Sequence, residues 1–392
     1  MEDLKKIKAR IDWFCENKVN AFSPTISPAP KSIQRNEIES IAEAINYYTS
    51  RGIKELIVQK KYMGSYCDIY LHKNLDDTYF VSRNGHKIEH IDLDGAKNAC
   101  KELHQKMDWS NLSIVIIQSE LMPWNVLGKN LINNEFEGYL NAHQNHLNHL
   151  QQTNLYDKID EIKSSENYIE YIKCKKENAE KEIKKKFASH IIRQYNALDD
   201  FKILNLDKYS NGIEIYRHQI AHFGKEEKLH FKPFNILKKI FEDGSEEIVN
   251  DNLSYQQVND DEFLLLKLEN DSENQIKKVY NWFATLSNEL EEGIIIKPRQ
   301  AFIKNIPPAF KVRNNHYLTM IYGVDFIERL PVNIGKRKIS KKLECSINDW
   351  MINWQLLKIK YNTINKENYL LKNLVLDRIL GEQIESTLDT RL

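Results

Sequence analysis

The chain has 392 residues, 41% of them hydrophobic, with 56 basic and 56 acidic side chains, a composition that supports a packed core and excludes wholesale disorder. A formal net charge of zero supplies no global field for a polyanion, so any nucleic-acid surface must be a local patch. Five scattered cysteines with no CxxC pair exclude a disulfide framework and a zinc ribbon, and no apolar run approaches the roughly 18 residues that cross a bilayer; a soluble, cytoplasmic protein without membrane association is expected.

In chain order, Leu4, Ile7, Ile11 and Phe14 recur at helical spacing and predict a first helix. FSPTISPAP at 22–30, with three prolines in nine residues, predicts a connector. Residues 38–48 predict a helix that stops near Gly52, where glycine tolerates the left-handed cap. ELIVQKKY, CDIYLHK, TYFVSRN and LSIVIIQSEL are short, rich in β-branched and aromatic residues and divided by polar turns, so they predict a sheet. From 131 to 206 glycine and proline nearly vanish, and NYIEYIKCKKENAEKEIKKKFASHIIRQY is the clearest helical stretch. Strand signals return in KLHFKPFNIL, FLLLKLE and EEGIIIKP, the last two flanking an amphipathic helix around IKKVYNWFATLSNEL. Beyond 323 the chain reads as mainly helical, because Trp350, Trp354, Leu357, Tyr361 and Ile364 share one helical face.

The stretch KYMGS at 61–65 lies between two strand-like runs and places a lysine beside a glycine that permits close approach of a ligand. Downstream stand FVSRNG (80–85), SELMPW (119–124), FKPFNIL (231–237), EEGIIIKP (291–298) and PAFKVRNNHYLTMIYG (308–323). The series resembles the motifs of the covalent nucleotidyltransferase superfamily, which holds ATP-dependent RNA and DNA ligases and mRNA-capping guanylyltransferases. KYMGS, ELMPW, KPFNIL, EGIIIKP, KVRNNHYLTMIYG and the terminal DTRL (389–392) are similar in particular to the ligase domain of the bacterial polynucleotide kinase-phosphatase-ligase that repairs RNA. The likeness runs from about residue 50 to the end.

This resemblance implies an α+β fold: an antiparallel-sheet nucleotidyltransferase core that holds the nucleotide between its sheets, with a helical insertion, and with a helical C-terminal module in place of an OB domain. The corresponding division is 1–49 as helical extension and linker, 50–130 and 207–323 as the two parts of the core, 131–206 as the insertion and 324–392 as the C-terminal module. The implied activity is ATP-dependent RNA ligation. Lys61 attacks ATP, AMP passes from the lysine to an RNA 5′-phosphate, and a 3′-hydroxyl seals the strand, assisted by Mg or Mn. By the same resemblance Lys297 and Lys311 join Lys61 in catalysis. Gly64, Arg83, Glu120, Phe231 or Phe234, and Arg313 belong to the ATP site, and Glu292 and Glu120 to the metal. Arg83 is expected on the ribose or the phosphate of the incoming end, and one of the two phenylalanines under adenine. The family pattern KxMGSR has arginine where this chain has Tyr66, which removes a permanent cation and a bidentate fork. Because the relatives carry kinase and phosphatase on the same polypeptide, separate end-healing enzymes or another repair protein are expected partners beside RNA.

The chemistry has a reason to want these residues. At its reference pKa of about 10.4 only about one lysine in 2,500 is neutral at pH 7, so a nucleophilic amine needs neighbouring cations or desolvation to release its proton. The same cations stabilise charge gathering on the phosphate. A divalent ion arriving with ATP favours oxygen ligands, which suits Glu292. Regular strand alternation would put Glu292 and Lys297 on opposite faces, so joining them requires a bend or bulge.

Other features read more plainly. Trp124, Tyr317, Leu318, Ile321 and Tyr322 read as packing residues, and His143, His146 and His149 as a polar helix face. GKRKISKK at 335–342 suits an RNA backbone or a solvated surface equally, while Lys184, Lys185 and Lys186 alternate with glutamates as in a salt-bridged helix. GxxxxGK[ST] is absent, which excludes P-loop kinase chemistry. Two other functions remain open to sequence: capping-type transfer to another acceptor, and an inactive RNA-binding scaffold, although intact Lys61, Glu292, Lys297 and Lys311 weigh against the scaffold.

Overall fold

The computed structural model describes residues 2–126, 135–201, 203–224, 228–255, 262–269 and 272–382, so DTRL and the start of the expected insertion lie outside the described residues. Its strands are β1 (Ser27–Pro28), β2 (Glu55–Lys61), β3 (Ser65–His72), β4 (Tyr79–Ser82), β5 (Leu112–Met122), β6 (His230–Phe241), β7 (Glu246–Ile248), β8 (Phe263–Lys267), β9 (Gly293–Pro298) and β10 (Phe310–Arg313). They form two five-stranded sheets, ordered β1-β10-β9-β2-β8 and β4-β3-β5-β6-β7. Every pairing is antiparallel except β1 with β10. The expected mixed α+β architecture with antiparallel sheets is therefore present.

Strand alternation assigns the faces. In the first sheet Leu56, Val58, Ile294, Ile296, Phe310 and Val312 pack under helices Ile41–Thr49 and Ser272–Asn288. The intervening Gln59, Lys61, Ile295, Lys297 and Lys311 line a cavity on the other face. In the second sheet Cys67, Ile69, Leu71, Val115, Ile117 and Leu121 enter an apolar layer with Ala96, Cys100 and Leu103, while Tyr66, Gln118 and Glu120 face the same cavity. Each large apolar side chain withdrawn from water contributes about 1.5–3 kcal/mol, so each sheet is anchored by one face and free to carry polar chemistry on the other.

Two expectations are corrected. The proline-bearing stretch at 22–30 is not a loose connector. Val19, Ala21, Phe22 and Ala29 are buried, Ser27–Pro28 pairs with β10, and the segment is clamped against helix Ser340–Leu357. The Phe22 amide donates to Asn353 Oδ1 at 2.6 Å, the Thr25 amide to Asp349 Oδ2 at 3.0 Å and the Ala29 amide to the Lys311 carbonyl at 2.9 Å. Proline lacks an N–H and shortens the strand pairing, but it suits an extended buried chain whose neighbours supply the donors. The helical face drawn from Trp350 to Ile364 is also interrupted. The helix stops at Leu357, where the buried Lys238 ammonium donates to the Leu357 and Ile359 carbonyls at 2.6 and 2.8 Å and pairs with Glu246 at 2.6 Å. A cation on terminal carbonyls satisfies the groups a helix end leaves open. Trp350, Trp354, Leu357 and Ile364 still meet in one core cluster.

Between β5 and β6 the described residues are almost wholly helical, from Glu137–Thr153 to Leu206–Phe223. The long stretch at 167–195 divides into Glu166–Glu177, Glu180–Lys186 and Ser189–Asp200. These helices reach the core through a cluster that joins Phe136, Leu140, Tyr209 and Tyr216 to Tyr317, Met320 and Met63, so the methionine of KYMGS is anchored in helical packing. Gly212 makes the closest approach: a Cβ there would lie 1.9 Å from the Val324 carbonyl oxygen.

Candidate active site

Lys61 is the last residue of β2 and lies opposite Gly293 of β9, which in turn lies opposite Arg313 of β10. The next row holds Gln59, Ile295 and Lys311, and beyond it Ile57 faces Lys297. Side chains from these rows and from the second sheet enclose a cavity of about 450 Å³. Lys61 Nζ lies 2.7 Å from Glu292 Oε2, with the carboxylate only 3% exposed. The bend needed to bring Glu292 and Lys297 together is supplied by Gly293, whose φ of +149° breaks strand alternation at its first residue. A Cβ there would sit 2.1 Å from the Val312 carbonyl oxygen, so no other residue fits. Asn314 holds this corner: its amide donates to the Glu292 carbonyl at 3.1 Å, its Nδ2 donates to the Glu291 carbonyl, and its Oδ1 caps helix Asn315–Tyr322 through the Tyr317 amide.

The electrostatics are those of a crowded and largely buried cation site. Burial brings the Lys297 ammonium down to about 7, and its Nζ lies 5.3 Å from the centroid of the Phe234 ring. Burial and then the Arg313 guanidinium drive Lys311 well below the usual lysine range, with Lys61 and Arg83 acting in the same direction and Glu39 opposing. Across the cavity burial raises Glu120 to about 7; the Lys61 charge opposes the rise and Glu292 adds to it. Burial, reinforced by the Glu292 charge, keeps the Tyr317 hydroxyl protonated well above its ordinary value.

Glu120 and Glu292 are the carboxylates of the cavity lining, and among the described residues no group of three His, Cys, Asp or Glu side chains could hold a metal. Such a donor set suits a hard cation that keeps waters and takes its remaining oxygens from a bound phosphate.

Lys61, Gly64, Arg83, Glu120, Phe234, Glu292, Lys297, Lys311 and Arg313 all border this one space. Phe231 does not: it stacks on Phe80 with centroids 5.0 Å apart, in the apolar layer on the opposite face, because strand alternation separates it from Phe234 across the sheet. Arg313 reaches the wall but its guanidinium is committed, with Nη2 2.5 Å from Glu39 Oε1 and Nε 3.2 Å from both carboxylate oxygens. A Cβ on Gly64 would lie 2.5 Å from Glu120 Cγ and 2.6 Å from the Leu121 carbonyl oxygen, so the glycine here lets β5 approach. Trp124 and Tyr317, read from sequence as packing residues, also border the cavity, although Trp124 stacks on Phe136 as well.

Tyr66, the departure from the family pattern, is tied to several residues at and behind the cavity wall that carry no sequence signal of their own. Tyr66 donates to Asp68 Oδ1 at 2.6 Å and accepts from Gln118 Nε2 at 2.8 Å. Asn235 Nδ2 donates to Gln118 Oε1 at 3.1 Å and to Asn252 Oδ1 at 2.9 Å, and Asn252 donates to the Pro298 carbonyl at 2.8 Å. Burial raises Asp68 to about 7. Tyr66 is thus the head of a polar chain that crosses from one sheet to the other. Gln59, two residues before Lys61 on the same strand face, presents a buried Oε1 with no hydrogen-bond partner among the described residues.

A family model described as the PNKP adenylyltransferase domain, ligase domain, matches residues 16–363. The chain belongs to this family. The match begins well before residue 50, as the buried course of residues 19–29 requires, so the likeness is broader than the motifs alone suggest. A chain in the structure of the Pnkp1/Rnl/Hen1 complex is 53% identical, with 99% of each chain covered and a TM-score of 0.93. A chain in the structure of the Pnkp1/Rnl/Hen1 RNA repair complex is 54% identical over 99% of each chain, at a TM-score of 0.90. None of the curated proteins matches.

Proposed function

We propose that the chain is an ATP-dependent RNA ligase of RNA repair, with Lys61 as the residue that carries AMP. The observation that carries this reading is the Lys61–Glu292 pair lining a cavity whose same wall holds Lys297 and Lys311. An ammonium held by a carboxylate cannot attack, so this pair must part and the amine lose a proton before the N–P bond to the α-phosphorus forms and pyrophosphate leaves. Mg or Mn, held by Glu292 and Glu120 with waters and phosphate oxygens, would draw off carboxylate charge and neutralise the phosphates. Lys297 and Lys311 gain charge where phosphate charge gathers, so their stabilisation grows during the reaction. Arg83, exposed at the cavity mouth, suits the incoming 5′-phosphate.

Phe234 offers the face for adenine. The free Gln59 acceptor suits the exocyclic amine of adenine, whereas guanine presents a carbonyl oxygen there, which favours ATP over GTP. In this reading 131–206 is a helical insertion in the core (50–130 and 207–323), and 324–392 is a helical module in place of an OB domain. Residues 1–49 act as part of the core wall. Similarity to a chain of the Pnkp1/Rnl/Hen1 RNA repair complex supports assembly with proteins that prepare 5′-phosphate and 3′-hydroxyl ends. Five free cysteines suit a reducing cytoplasm, and among the described residues no helix is long and apolar enough to cross a membrane.

The test is covalent labelling. Protein incubated with [α-³²P]ATP and Mg or Mn should retain label on a denaturing gel, and Lys61→Ala should abolish it; equal label on the variant overturns the assignment. Addition of nicked and single-stranded 5′-phosphorylated RNA then reads the sealing step.

A further inference from the structure

The chain is neutral overall, yet five of the eight residues at 335–342 are basic. This run links helix Leu330–Lys336 to helix Ser340–Leu357, and Lys336, Lys338 and Lys341 are exposed. Arg337 turns inward. Its Nη2 lies 2.9 Å from Glu39 Oε1, the same oxygen that Arg313 holds at 2.5 Å from inside the cavity. A single buried carboxylate is therefore shared by a cavity-wall cation and a cation of the basic run, which ties the run to the cavity wall. Arg337 Nη1 also donates to the Tyr322 hydroxyl. The Tyr322 ring is 42% exposed and stacks on Phe326 at 5.3 Å and 15°, so a supported aromatic face lies beside the cations. The nearby Asp325 is already paired with Arg329.

We propose that this surface is the track for a single-stranded polynucleotide, the strand whose 5′-phosphate enters the cavity. The inference rests on the ligase reading of the cavity. A repeating phosphodiester matches successive lysines, and an exposed ring beside them gives a base a stacking face, which an acidic protein surface has no need of. Lys336, Lys338 and Lys341 take backbone phosphates, and Tyr322 takes a base.

The experiment compares the full chain with the triple variant Lys336→Gln/Lys338→Gln/Lys341→Gln. Fluorescence anisotropy of a 5′-phosphorylated RNA 12-mer, and of the DNA 12-mer of the same sequence, is measured over a salt series. The expected result is at least a ~10-fold loss of affinity at low salt and a slope of log K against log salt shallower by about 2, since each single-strand phosphate contact contributes about 0.7. ATP labelling of Lys61 without RNA stays at the wild-type level. Unchanged affinity and slope overturn the track, including the case in which the same lysines serve only an acidic protein partner. Should the triple variant melt early, Lys338→Gln alone must still lower the slope by about 0.7. Failure of the underlying ligase reading is distinguishable: the wild type would then take no label from ATP, whatever its RNA affinity.

Discussion

The two walls of the cavity solve different problems. The wall of β2, β9 and β10 is ionic: Lys61, Lys297, Lys311 and Arg313 are set against Glu292 and Glu39. The wall of β3, β5 and β6 is mostly neutral, an aromatic ring and a chain of hydroxyl and amide groups from Tyr66 through Gln118 and Asn235 to Asn252. Ions stabilise charge that moves during a reaction, whereas oriented dipoles hold shape and select hydrogen-bond partners. The difference teaches that, in the proposed reading, the ionic wall meets phosphate charge while the neutral wall, together with Gln59 of β2, suits recognition.

Four substitutions test that division, beginning with the largest effect. Glu39→Ala leaves the buried Arg313 unpaired and should cost about 3–5 kcal/mol, seen as a large fall in the denaturant midpoint; a shift within error would show that the ionic wall stands without its carboxylate. Asn235→Leu removes the amide shared by Gln118, Asn252 and Ser254, and the polar groups it orphans predict about 1–3 kcal/mol of destabilisation by the same measurement. Gln59→Leu should leave stability nearly unchanged but reduce the preference for ATP over GTP by about tenfold, or about 1.4 kcal/mol, in competition for Lys61 labelling.

The smallest effect is a pH dependence. Lys297 is held near 7 by burial, so above that pH it is mostly neutral in the free protein, and a polyphosphate favours its charged form. Nucleotide binding therefore takes up a proton, and affinity should fall about five-fold between pH 7 and pH 8 as the group empties. Calorimetry in two buffers of different ionisation enthalpy would read the proton directly. Lys297→Arg, always charged, should flatten the profile; a flat wild-type profile would remove Lys297 from the phosphate site.

The ionic wall was legible in the amino-acid sequence because few residue types can do its work. Lys61, Glu292, Lys297 and Lys311 stand in short motifs on strands whose alternation is plain, and even the need for a break near Glu292 follows from counting. The neutral wall was not. Gln118 and Asn235 are 117 positions apart and Asn235 and Asn252 are 17 apart, and no local pattern joins amides that meet only through folding. Alternation separates Phe231 from Phe234, but they were left as alternatives because which face of the strand looks into the cavity depends on the partner strands. Glu39 was hidden for another reason: it follows a proline-rich stretch that reads as a breaker, although its neighbours are buried. Gln59 could have been found, since it precedes Lys61 by one strand period.

The clamped course of residues 19–29 has a consequence for biosynthesis. The Phe22 amide finds its acceptor 331 positions later, and the Thr25 amide 324 positions later. A ribosome must therefore release nearly the entire polypeptide before its earliest segment can settle, and closure of such distant contacts comes late in folding. A nascent or truncated product lacking helix Ser340–Leu357 would leave the 22–29 segment without its clamp, and with it the edge of β10 and the Ala29 donor to the Lys311 carbonyl. The cavity wall that Ser23, Pro24 and Ile26 complete would therefore be finished only in a finished molecule.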